Sequence, residues 1–269
     1  ASDVYKRQGR NYTVGYEKLN ARRTEWEWLL DRIFEQGKSL SALDRCIGQE
    51  IKELGKPAFR HQIVLGLPEA IRGQKDWGKL DGREMDFSKE EDQIAATKWY
   101  IGELVERFKA AKYKHLELSG FYWVAEDTHH CAELTIPLSE YIHSEGKLFY
   151  WIPYWQAKGH EEWKRLGFDV AYQQPNHFFN HSIPDSRLDE ACATARRHGM
   201  AMEFEFDEKA TAAIPNSSYD RMVAYIDHFE KNDVFNSSAV AYYCGNRGVL
   251  TLDESDNPKD KALMDRLAR

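Results

Sequence analysis

Met200-Ala201-Met202-Glu203-Phe204-Glu205-Phe206-Asp207 alternates apolar and acidic side chains with a period of two. Successive side chains of a strand point to opposite faces. The stretch therefore predicts a strand with Met202, Phe204 and Phe206 on one side and Glu203, Glu205 and Asp207 on the other. On a solvated sheet this is ordinary amphipathy. In a barrel wrapped by helices, the apolar side meets the helices and the three carboxylates point inward. Buried like charges are costly unless they are paired or used. What flanks the stretch decides between these readings.

Immediately upstream, Pro184-Asp185 opens a predicted helix that runs to His198, with Gly199 as its stop. Before it, Phe168-Asp169-Val170-Ala171-Tyr172 reads as a strand running into Gln173-Gln174-Pro175-Asn176-His177. Downstream, Ser218 starts a helix with Tyr219, Met222, Val223, Ile226 and Phe229 on one side. Ala239-Val240-Ala241-Tyr242-Tyr243 is a last strand, and Pro258 begins a final helix. Toward the N-terminus come apolar strands at 62–68, 115–119 and 148–153. They alternate with helices over 25–36 (capped by Thr24), 40–54, 88–111 (opened by a capping box at Ser88-Lys89-Glu90-Glu91), 128–144 and 161–166. Residues 69–87, with Trp77, read as a long polar loop.

Six strands, each followed by a helix, mean a parallel sheet in an α/β protein. A doubly wound open sheet should carry a Gly-x-Gly-x-x-Gly turn after its first strand, and none occurs. Polar and aromatic residues instead follow nearly every strand, as they do when all strand ends surround one mouth. The expected fold is an incomplete (β/α)8 TIM barrel with strands three to eight present. Glu117 and Glu126 then belong to the fourth strand and its loop, and the acidic stretch is the seventh strand. One domain over 9–269 is expected, with no composition shift to divide it.

The chain has 269 residues, 42% hydrophobic and 30% charged, enough for one large core or two small ones. A net charge of −7 argues against a general nucleic-acid-binding surface. No apolar run is long enough to span a membrane. Cys46, Cys131, Cys192 and Cys244 lie far apart, without metal-type spacing, and read as small apolar residues. Residues 1–8 contain Asp-Val-Tyr-Lys-Arg-Gln, which looks like the translated end of a transposon used to build sequencing libraries. They are expected to be an assembly scar, which would place the natural start upstream. The 62–67 strand is then expected to have an open edge, and the isolated fragment to be poorly soluble.

Taken in order, Gly120-Phe121-Tyr122-Trp123 with Glu126, Trp151-Ile152-Pro153-Tyr154, Gln174-Pro175-Asn176 and Glu203-Phe204-Glu205-Phe206-Asp207 resemble the bacterial domain-of-unknown-function family numbered 4855. The resemblance covers most of the chain from Trp26 to Tyr243. It implies a glycoside-hydrolase-like barrel, a carbohydrate partner and a secreted or periplasmic location. It supplies no established reaction, so the chemistry has to come from the residues.

Cleaving a glycosidic bond needs two carboxyl groups, one to protonate the leaving oxygen and one to attack the anomeric carbon or activate water. In many retaining barrel glycosidases these follow the fourth and seventh strands, and glutamates occupy both places here. Glu205 is expected as nucleophile or base, with Glu203 deeper as its neighbour and Asp207 at the rim. Glu126, beyond Trp123, is expected as the acid, with ion pairing as the bland alternative for each. Trp123, Tyr154, Trp155 and Tyr242 at strand ends are expected to stack on sugar rings. Gln174, Asn176 and His177 are expected to bind hydroxyls. His177-x-x-x-His181 has metal-type spacing, but prolines bracket it and no helix carries it, so neither a metal nor a cofactor is expected. A non-catalytic carbohydrate-binding barrel and a metal-dependent isomerase or hydrolase remain the alternatives.

Overall fold

The computed structural model describes residues 6–7, 9–15 and 17–268. Most of the expected scar, residues 1–5 and 8, lies outside the described residues, as does Tyr16. The chain forms two compact units. One runs through Trp151 and includes Trp163–Asp169. The other holds Ile152–Glu162 and everything from Val170 onward.

The first unit opens with a small sheet of β1 (Lys6–Arg7), β2 (Arg10–Asn11) and β3 (Leu19–Asn20), followed by α1 (Arg23–Ile33) and α2 (Ser39–Leu54). Next come β4 (His61–Leu67), a hairpin of β5 (Lys79–Leu80) and β6 (Arg83–Glu84), α3 (Glu90–Ala111), β7 (Leu116–Trp123), α4 (Ala132–Ser144) and β8 (Leu148–Trp151). β7 lies in the middle, parallel to β4 and β8. In register, Leu65, Phe121 and Phe149 form one row and Leu67, Trp123 and Trp151 the next. All six are buried, which is why these runs read as almost continuously apolar. Phe168 closes this layer, stacked on Trp151 with ring centroids 4.9 Å apart.

The other face carries Gly66, Tyr122 and Tyr150 in register, with Gly120 beside Leu148. A Cβ on Gly120 would sit 2.1 Å from the Leu148 carbonyl oxygen and 2.7 Å from the Tyr150 ring. The missing side chain is what lets the tyrosine lie across the strand. Among the described residues β4 has no strand partner on its outer side.

In the second unit β9 (Val170–Gln173) precedes α5 (Ser186–His198), and β10 (Ala201–Phe206) precedes α6 (Tyr219–Lys231). Then follow α7 (Val234–Ser237), β11 (Val240–Cys244), α8 (Gly248–Asp253) and α9 (Pro258–Leu267). β10 is central and parallel to β9 and β11. α5 stops at Gly199, whose φ of +65° suits a residue without Cβ. α9 begins with Pro258 behind Asn257, whose side chain accepts the Lys259 N–H at 3.0 Å. Buried Asp260 accepts from Ser255 Oγ at 2.6 Å, from the Ala212 N–H at 2.7 Å and from the Thr211 hydroxyl. It thereby ties the loop after β10 to the last helix.

The protein is thus α/β, with parallel strands in each unit, and several local expectations are corrected. Thr24 does not cap α1. The helix starts at Arg23, and the Glu25 carboxylate receives the Arg22 N–H at 2.8 Å. The capping box at Ser88 does not form. Ser88 turns back to Asp86 through Oγ at 2.6 Å, while Asp92 accepts the Asp86 N–H at 2.9 Å. The segment 69–87 is no polar loop, since Trp77 is buried with ring centroids 5.3 Å from Trp26 and 5.5 Å from Phe87. α4 starts at Ala132, four residues later than expected. The helix expected over 161–166 is a single 3-10 turn, His160–Glu162. Among the described residues no helix is long and apolar enough to cross a membrane.

Candidate functional site

The acidic strand places its residues as the alternation requires. Phe204 packs against Tyr225 and Phe229 of α6, at ring distances of 4.8 and 5.5 Å. Glu203 and Glu205 have the opposite parity and are also buried, at 6% and 4% exposure. Glu205 lies at the C-terminal end of β10. Its Oε2 accepts the Tyr225 phenol at 2.6 Å, a charge-assisted bond. Burial, and then the neighbouring Glu205 charge, hold the Tyr225 hydroxyl far above its ordinary titration range. Tyr225 therefore donates to Glu205 and does not compete with it for negative charge.

Register then separates the two tyrosines of β11. Tyr242 pairs with Phe204, its ring 5.5 Å from that of Phe204 and 48% exposed. It belongs to the apolar face, contrary to the expected place for a residue that stacks beside the carboxylates. Tyr243 pairs with Glu205 and shares its face. Ala201 of β10 pairs with Tyr172 of β9, which puts that tyrosine on the same face too.

The segment after β9 is braced by its own amides. The Gln174 N–H donates to the Pro153 carbonyl at 3.1 Å, and its side chain donates to the Ile152 carbonyl at 2.8 Å. Asn176, at a φ of +51° that asparagine tolerates, donates to Gln174 Oε1 at 3.0 Å and accepts the Trp155 N–H at 2.5 Å. Gln174 and Asn176, expected to hold hydroxyls, thus fix the chain that carries Tyr154 and Trp155. Tyr154 is exposed, and Trp155 lies under the Arg187 guanidinium at 4.7 Å.

His177 is fully buried. Its Nε2 stands 2.8 Å from Asp185 Oδ1, and its Nδ1 has no hydrogen-bond partner. Burial pushes its pKa down to about 4 despite the Asp185 carboxylate, and the Arg221 charge adds to the fall. A hydroxyl-binding role was expected of His177, and the structure closes it off from solvent. His181 bonds instead to Ser218 Oγ at 3.0 Å, so the two histidines take separate partners. Asp207 caps a 3-10 turn, accepting the Lys209 N–H at 2.8 Å. Among the described residues, no three His, Cys, Asp or Glu side chains are grouped to hold a metal ion.

The remaining two expected residues belong to the first unit. Trp123 is buried, its ring edge-to-face with Phe149 at 6.0 Å, on the row that faces away from Tyr122. Glu126 is half-buried in the bend after β7. The sequence reading passed over Glu69, two residues past the end of β4. It is buried and accepts from Thr13 Oγ1 at 2.7 Å and the Val14 N–H at 3.1 Å. Burial raises its pKa, Asp127 adds to the rise, and those two hydrogen bonds oppose it. Its place directly after an apolar run was the available signal.

The family described as Domain of unknown function (DUF4855) matches residues 11–269. The chain belongs to this family. The motifs at 120–126, 151–154, 174–176 and 203–207 therefore led to the right family. No curated protein matches the sequence. Among solved structures, one described as "a putative alpha-L-fucosidase from Bacteroides thetaiotaomicron VPI-5482" is similar. Its sequence identity is 15% and its TM-score 0.48, over 94% of this chain and 78% of that one. A likeness of that size assigns no substrate to this DUF4855 member.

Proposed function

We propose that this DUF4855 member is a glycoside hydrolase of oligosaccharides or polysaccharides, outside the cytoplasm, built on a TIM-like barrel and working through two carboxyl groups with retention. The observation that carries the reading is Glu205. It is a buried carboxylate at the C-terminal end of a parallel strand, the end where such folds place their ligands. A phenol that stays protonated donates to it at 2.6 Å, and an aromatic residue stands beside it in register. A carboxylate so held is oriented before substrate arrives, which is what attack on an anomeric carbon needs. Glu203, on the same face and closer to the start of the strand, sets the local charge. Glu126 is proposed as the proton donor from its place after β7.

Glu205→Gln should abolish turnover of aryl glycosides and leave ligand binding largely intact, and a variant with retained turnover would remove Glu205 from the chemistry. Glu126→Ala should lose far more activity on alkyl or oligosaccharide leaving groups than on activated aryl ones, because only the former need a proton. Equal losses on both would end its assignment as the acid. The anomeric configuration of the first-formed product, read by NMR, decides between retention and inversion.

A further inference from the structure

Phe179 is left 52% exposed on a loop that is otherwise held from several directions. Arg221 of α6 gives its guanidinium to three carbonyls of that loop, those of His177, Asn180 at 3.1 Å and Ile183 at 3.1 Å. The Asn180 and Ile183 N–H groups close turns onto the His177 and Asn180 carbonyls at 3.3 and 3.0 Å. The Asn180 side chain accepts both the N–H and the O–H of Ser182, at 3.0 and 2.7 Å. Buried Phe178 lies against Phe179, with ring centroids 5.1 Å apart. Phe179 is therefore displayed in a fixed orientation, and an already ordered ring loses little freedom when a ligand covers it.

Its neighbour gives the display a direction. The Phe179 and Tyr243 rings stand 5.8 Å apart at 86°, making a right-angled aromatic corner. Tyr243 is the register partner of Glu205. A ring with an apolar C–H face and hydroxyls around its edge fits such a corner, because it can cover one aromatic face and keep its polar edge solvated.

We propose that Phe179 and Tyr243 form a stacking subsite for the C–H face of a pyranose ring, the sugar whose anomeric carbon meets Glu205. Only the clause about the anomeric carbon rests on the hydrolase reading. The stacking itself stands on the corner.

The test uses the whole chain and a panel of methyl pyranosides of the common hexoses, deoxyhexoses and pentoses. Saturation-transfer NMR and titration are run on wild type, Phe179→Ala, Phe179→Trp and Glu205→Gln, alongside turnover of the matching aryl pyranosides. At least one methyl pyranoside should bind wild type, with saturation strongest on the hydrogens of one ring face. Phe179→Ala should weaken it about tenfold, the loss expected for one apolar contact of this size. Phe179→Trp should restore binding, and Glu205→Gln should keep it. Thermal unfolding of Phe179→Ala should match wild type because the ring is exposed. Binding that depends on Phe179 without turnover of any aryl pyranoside would uphold the subsite and sink hydrolysis. Turnover with an unchanged KM in Phe179→Ala would sink the subsite and leave hydrolysis standing. Failure of every methyl pyranoside to bind wild type would also overturn the subsite.

Discussion

His177 gives the protein a built-in sensitivity to acid whose size follows from its surroundings. The ring is fully buried and its pKa is pushed from 6.5 down to about 4. Asp185 at 2.8 Å favours the charged form, but burial and Arg221, which also approaches Asp185 at 3.9 Å, prevail. A folded pKa below the unfolded one fixes the sign. Above pH 6.5 neither state binds the proton and there is no effect. As pH falls through 6.5 the unfolded chain takes up a proton that the folded chain refuses. Stability then declines by about 1.4 kcal/mol per pH unit, and the decline ends near pH 4 after a loss of roughly 3 kcal/mol. Urea unfolding of wild type and His177→Gln at pH 7.5, 6, 5 and 4 measures this. The glutamine variant lacks the titrating ring, so the stability gap between the two proteins should shift by about 3 kcal/mol in its favour across the range. Differencing removes other groups. Glu69, whose pKa is raised, acts with the opposite sign in both proteins, and Asp189 titrates at about 2, below the window. A gap that stays constant to within about 0.5 kcal/mol from pH 7.5 to 4 would show that His177 is not buried in its neutral form, and the reasoning would fail.

Tyr225→Phe removes the donor to Glu205 and keeps the ring that packs on Phe204. The expected result is a kcat lower by one to two orders of magnitude with little change in KM, read by steady-state kinetics, since a charge-assisted bond of this kind is worth about 1.5–3 kcal/mol. Gly120→Ala places a Cβ 2.1 Å from a backbone oxygen that cannot swing away. It should cost more than about 3 kcal/mol or abolish folding, seen as a collapse of the thermal transition, whereas an unchanged transition would mean that β7 and β8 do not lie as described.

The elements that sequence made legible are those whose signal is local. The period-two run at 200–207 became β10 (Ala201–Phe206), Gly199 ended α5, and Pro258 opened α9. Reading failed where a residue's partner lies far along the chain, or where a near neighbour competed for the same side chain. Trp77 looked like part of a polar loop because its neighbours are polar, while its burial depends on Trp26 and Phe87. The Ser88 box had the right spacing for a cap, but Asp86 captured the serine first. The apolar stripe of α6 was legible from its spacing, yet Tyr225 was left out of it. Its buried face is Met222, Tyr225, Ile226 and Phe229, and the member passed over is the one that reaches the carboxylate.

The candidate site shows the same division, and more sharply. Alternation fixes which residues of one strand share a face but says nothing about how the next strand is registered. Hence Tyr242 was chosen where Tyr243 shares the face of Glu205, and Trp123 was chosen although it lies on the buried row, with half-buried Tyr122 on the other face. Gln174 and Asn176 have the chemistry to bind sugar hydroxyls, but the Ile152 carbonyl, the Trp155 N–H and a bond between the two side chains engage their amides first. What the alternation did capture is the cost. Glu203 and Glu205 are both buried on a strand whose other face is packed with phenylalanine, and two neighbouring carboxylates repel each other as well as losing their hydration. Leucines of similar length would fill that face without either penalty. The proposed role of Glu205 accounts for a strand that keeps the acids, gives Glu205 a phenol from the following helix, and sets an aromatic residue beside it in register. Packing alone asks for none of the three.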